Sequence, residues 1–157
     1  MKKNVNIKIT SNQYIENLKP SGEAFLRELE LEDTTEIYTE GTVYSRDNAT
    51  YITYEEEGSH GEDEIRTLFK LEDDSIRIRK YAKDDDESMD MMLRPGVLNI
   101  TRYQVPALPT LNLEVYTNSL EKDINEEGLG KVSVDYKIKF DQFYSRRNIL
   151  EIEVKEA

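Results

Sequence analysis

An all-β fold, one antiparallel meander closed into a barrel of about eight to ten strands, is what this chain predicts. Three observations carry the prediction. Apolar and polar residues alternate with period two from Glu36 to the C-terminus, the alternation restarts about every ten to thirteen residues, and a turn-forming group stands at each break. A sheet of that many sequential strands has two edges to protect, and closure removes both. A Greek-key sandwich is the competing architecture, but it needs a long return connection, for which only Asn12 to Thr35 would serve.

The first strand is Val5, Ile7 and Ile9 alternating with Asn6 and Lys8. Asn12 to Asp33 is ambiguous: Pro20-Ser21-Gly22 breaks the chain, Phe25, Leu26 and Leu29 suit a short helix, and Leu29 and Leu31 suit a strand. Glu36–Tyr44, Tyr51–Glu55, Ile65–Leu71 and Ser75–Tyr81 follow as strands, separated by Arg46-Asp47-Asn48, Gly58-Ser59-His60-Gly61 and Glu72-Asp73-Asp74. Met89–Arg94 and Val97–Tyr103 flank Pro95-Gly96 and are expected to form a tight hairpin, since proline presets the first corner of a turn and glycine accepts a positive φ at the second. Leu111–Thr117, Lys131–Phe140 and Asn148–Lys155 complete the set. With no repeat and no linker, residues 1–157 read as one β-barrel domain carrying an insertion at 12–35.

Composition narrows the function. There is no Cys, no Trp and one His, so thiol chemistry, disulfides and thiolate metal sites are excluded. No apolar run is long enough for a signal peptide or a membrane span, and the chain is expected to be soluble and cytoplasmic. Its 21 cations against 33 anions give a net charge of -12, which repels nucleic acid and anionic lipid, so neither is an expected partner. The densest basic groups, Arg77-Arg79-Lys80-Lys83 and Arg146-Arg147, the latter placed in a turn, read as solvated or as cross-strand partners of acids.

The order of short motifs resembles the YwiB-like family of small bacterial proteins. It rests on Thr39-Glu40-Gly41-Thr42-Val43-Tyr44, on Tyr51-Ile52-Thr53-Tyr54-Glu55-Glu56 one hairpin later, on Met91 before the Pro-Gly turn, and on Tyr103 before a proline-containing loop. Gly130 through Tyr136 then opens a long strand before Ile149-Leu150-Glu151-Ile152-Glu153-Val154, so the likeness spans Glu36 to Val154. The sequence departs from the family pattern at Arg79-Lys80-Tyr81, in place of Arg-x-Gly, and at Val105-Pro106-Ala107-Leu108, in place of a Thr-Pro-Tyr-Gly-like loop. The resemblance implies a calycin-like, lipocalin-like barrel and supplies no established activity.

No chemistry-bearing constellation stands out. His60 lies beside Ser59 in a polar loop, but a catalytic triad needs a nucleophile on a rigid element and a base held by a third group. Asp84, Asp86, Ser88 and Asp90 alternate like calcium ligands, yet Met89 occupies the position where that loop needs glycine, and Pro95 the position of its bidentate glutamate. No catalytic residue, metal ligand or cofactor is therefore assigned, and a hydrolase or isomerase is the least favoured class. Ten tyrosines, most in or beside strands, are the remaining lead, because tyrosine offers apolar area with a polar tip. Tyr54, Arg79, Tyr103 and Tyr136 are the expected lining of a pocket. The expected role is a non-catalytic barrel binding a small apolar or amphipathic ligand; the alternative is a structural or protein-interaction module with a packed interior.

Overall fold

The computed structural model describes residues 2–57, 64–81, 89–103, 111–140 and 144–157, with backbone alone at 17–19, 25–27, 56–57, 64, 101–103, 111, 140 and 144. His60 and Asp84 to Ser88 lie outside the described residues. Ten antiparallel strands form one sheet: β1 (Lys3–Ser21), β2 (Ala24–Arg46), β3 (Ala49–Glu57), β4 (Glu64–Leu71), β5 (Ile76–Tyr81), β6 (Met89–Leu93), β7 (Leu98–Tyr103), β8 (Leu111–Ile124), β9 (Gly130–Phe140) and β10 (Tyr144–Glu156). Their spatial order is β6-β5-β4-β3-β2-β1-β10-β9-β8-β7, so every sequential pair is a neighbour except β6 and β7.

That exception corrects the expected hairpin. Val97 N donates to the carbonyl of Arg94 at 3.1 Å and Gly96 sits at φ 79°, which is the turn that Pro95-Gly96 predicts. It nevertheless joins the two edges of the sheet instead of a paired hairpin. Gly96 N bonds to the Thr117 carbonyl at 2.9 Å, and Asn99 Nδ2 to the Met92 carbonyl at 3.0 Å. The sheet curls until its edges approach, but among the described residues no ladder joins β6 to β7, so the expected hydrogen-bonded closure is absent.

Asn12 to Thr35, where the pattern fits helix or strand, is strand: it continues β1 and β2, which turn over at Gly22 with φ 63°. Period-two patterning drives the core. Ile9 pairs with Ile152, which pairs with Val132, and Ile52 leads through Phe69 and Ile78 to Met91. These side chains are buried and form one apolar cluster on the inner face. Gly41 lets two strands close over Ile7, because a Cβ there would stand 2.6 Å from Ile7 Cδ1.

Two β-bulges reset which residues face inward. In β8 the register shifts between Thr117 and Ser119, so that Val115 and then Leu120 and Ile124 pack on the core. The strand thereby runs to Ile124, beyond the Thr117 at which the alternation reads as ended. In β1–β2 the shift falls at Gln13/Tyr14, leaving Glu32 as the extra residue. Leu29 and Leu31 pair with Glu16 and Tyr14 and are largely exposed.

Candidate functional site

The four residues expected to line one pocket are not brought together. Tyr54 and Tyr136 are buried in the inner apolar cluster, Tyr54 with its ring 5.9 Å from that of Phe69. Burial alone pushes the Tyr136 phenol up to about 12. Arg79 alternates with the buried Ile76 and Ile78 and therefore stands on the outer face, paired in register with Leu68 and Asp90. Tyr103 ends β7 opposite Leu111, and its side chain is not described.

The polar surface is organised outside the sheet. A concavity of about 670 Å³ lies across β2, β1 and β10. Two neighbouring cross-strand rungs build it. Tyr38, Lys8 and Glu153 form one, and Glu40, Asn6 and Lys155 the other, because Lys8 pairs with both Tyr38 and Glu153, and Asn6 with both Glu40 and Lys155. Lys8 Nζ lies 5.4 Å from the centre of the Tyr38 ring, which is 69% exposed. Tyr38, followed by Glu36 and Glu153, holds the Lys8 ammonium above its ordinary range. Lys155 Nζ reaches Glu153 at 3.2 Å and, ahead of Lys131 and Lys8, depresses that carboxyl.

A smaller concavity of about 120 Å³ opens on the outer face of β3–β5, among Tyr51, Leu68, Lys70, Arg77 and Arg79. Arg77 donates to both oxygens of Asp90, at 2.8 and 2.6 Å. Tyr51 stacks on Tyr44 with centroids 4.9 Å apart and planes 5° from parallel. Lys2 and Lys70 cap the two ends of that stack, at 5.6 and 5.8 Å from the ring centres.

The second basic pair, Arg146-Arg147, lies in β10 and not in a turn, with its members on opposite faces. Arg147 binds both oxygens of Asp135, at 2.8 and 2.5 Å, and Arg146 reaches Glu32. These are the cross-strand ion pairs that the sequence leads one to expect. Among the described residues no group of three or more His, Cys, Asp or Glu side chains is placed to hold a metal ion. No helix among the described residues is long and apolar enough to cross a membrane.

Fold and surface together define an all-β protein of the β-barrel-like class, with an apolar inside and its polar concavities outside. The chain belongs to the DUF1934 family, a domain of unknown function whose model matches residues 25–152. It is 25% identical over 105 residues to a protein named "Uncharacterized beta-barrel protein YwiB" from Bacillus subtilis (strain 168), covering 67% of this chain and 69% of that one. The crystal structure of ywiB protein from Bacillus subtilis superposes with a TM-score of 0.60 at 18% identity, over 97% of this chain and 93% of that chain, which establishes the common fold. The expected YwiB-like membership is thus correct.

Proposed function

We propose that this protein is a non-catalytic binding barrel that takes a small amphipathic ligand on its outer face, in the groove of the Tyr38–Lys8–Glu153 and Glu40–Asn6–Lys155 rungs. In this reading the curled sheet works as a barrel, its seam bridged by Asn99 to the Met92 carbonyl and by Gly96 to Thr117. The inner face is then the scaffold. One observation carries the proposal: about 670 Å³ of groove combines an exposed aromatic ring with two cations and two carboxylates on adjacent rungs. That volume lies within the range of sites for small organic ligands, and the mixed charges suit a polar head while Tyr38 supplies the apolar contact.

Electrostatics favour binding over acid–base work. The carboxyls held away from their ordinary range among the described residues, including Asp90, Asp135 and Glu153, are lowered chiefly by a hydrogen-bonded Arg or Lys. A general acid requires the opposite shift.

The test uses the anionic naphthalenesulfonate dye ANS with the full chain. Saturable one-to-one binding is expected, with NMR shift changes confined to the rungs around Lys8, and about tenfold weakening in Tyr38→Ala and Lys8→Gln at unchanged circular dichroism. Dye binding that survives both substitutions, or no binding at all, overturns the proposal.

A further inference from the structure

The outer-face pocket of β3–β5 gathers three cations on a chain whose net charge is -12. Alternation explains how they meet. Tyr51, Lys70 and Arg77 occupy one cross-strand row, and Leu68 and Arg79 stand side by side two residues along. Among the described residues two carboxylates face them. Asp90 is taken up by Arg77, and Glu72 lies 3.2 Å from Lys70. Among the described groups three cations thus share two carboxylates, and Arg79 holds the weaker claim on Asp90, at 3.4 Å against the two short bonds from Arg77.

The contacts of Arg79 support this. Its Nη1 reaches the Tyr81 hydroxyl at 3.3 Å, a neutral partner. Its Nε is buried and makes no hydrogen bond, Asp90 Oδ2 standing 3.4 Å away in an ion-pair contact. A buried donor without a hydrogen-bond acceptor is unfavourable, and the pocket that Arg79 lines is the side from which an acceptor can approach this guanidinium. Leu68 and Tyr51 supply the apolar part of the lining, and Tyr51 is stacked on Tyr44. A concavity of about 120 Å³ admits a few heavy atoms only.

From this geometry we infer that the Lys70–Arg77–Arg79 pocket is a second binding site, for a small oxyanion of phosphate or carboxylate type. Guanidinium donors match the oxygens of either group, and the lysine adds a point charge. Asp90 is the built-in competitor, because it occupies the guanidinium edge that an incoming oxyanion would use. The site is separate from the groove over β1, so either can fail without the other.

The experiment is an NMR-detected titration of the full chain with inorganic phosphate and, in parallel, with acetate, following the amides of Tyr51, Lys70, Arg77 and Arg79. Saturable shifts at these residues with either anion are expected, and the stronger of the two names the ligand class. Arg79→Gln, and independently Lys70→Gln, should weaken binding at least about fivefold while circular dichroism is unchanged; Asp90→Asn should tighten it several-fold by releasing Arg77. Overturning results are linear, non-saturating shifts with both anions, saturable binding indifferent to Arg79→Gln and Lys70→Gln, or an Asp90→Asn variant that folds and binds no more tightly.

Discussion

Arg146 and Glu32, 114 positions apart in the chain, meet with Arg146 Nε donating to Glu32 Oε2 at 2.5 Å. The contact exists because of a β-bulge. Gln13 in β1 pairs with Asp33 and Tyr14 with Leu31, so Glu32 is left over and swings to the side where Gln13 Nε2 also donates to it, at 3.0 Å. Beyond this point β10 leaves β1 after the pair Tyr14–Arg147, and Ile15–Ser21 with Ala24–Glu30 continue as a two-stranded ribbon. The Glu32–Arg146 pair pins the base of that ribbon to β10.

The ribbon's anchorage is therefore sensitive to acid. Arg146 and then Gln13 hold the Glu32 carboxyl below its ordinary value of 4.5. The folded chain gives up this proton more readily than the unfolded chain, so the stabilisation is complete above 4.5 and drains away as pH falls through the lower folded value. Glu32→Gln should lower the urea midpoint slightly at neutral pH, and its difference from the wild type should shrink in acid. A difference that stays the same from neutral to acid pH would sink this account.

Two glycine substitutions should destabilise for different reasons. Gly41→Ala puts a methyl against the Thr53 carbonyl and 2.6 Å from Ile7 Cδ1, an overpacking cost of about 1–3 kcal/mol. Gly96→Ala meets nothing within 4 Å and pays only for the positive φ of 79°, about 1 kcal/mol. Denaturant unfolding of both variants checks the order, which reverses if steric crowding at Gly41 is relieved by a shift of β3.

Alkaline pH should expose Tyr136. Its buried phenol ionises at about 12, against 10.0 when free. Between those values the unfolded chain has lost the proton that the folded chain keeps, so stability falls as pH rises, by about 2–3 kcal/mol in total. Tyr136→Phe should flatten that slope, and tyrosinate absorbance of the wild type should show one late-titrating group that the variant lacks. Equal slopes in the two proteins would mean that water reaches the phenol.

Local features are legible in the sequence alone: most strands from Glu36 onward, the Pro95-Gly96 turn and the core faces at Val5–Ile9, Ile76–Ile78 and Val132–Tyr136, since each depends on alternation or turn chemistry within a few residues, whereas Asn12–Asp33 and the end of β8 beyond Thr117 are not. The tertiary structure decided everything that depends on register. A bulge is one residue with no compositional mark, yet it reverses every side chain beyond it. Leu29, Leu31 and Val43 share one parity in the sequence, but Val43 is in the core while Leu29 and Leu31 face out, because Glu32 intervenes. Arg79 likewise looked like one more polar residue for a lumen. Its neighbours Ile76 and Ile78 take the inner face, and alternation then puts it outside with Arg77 of the same strand, whereas Lys70 joins them only through the register of β4 on β5, which no local pattern aligns.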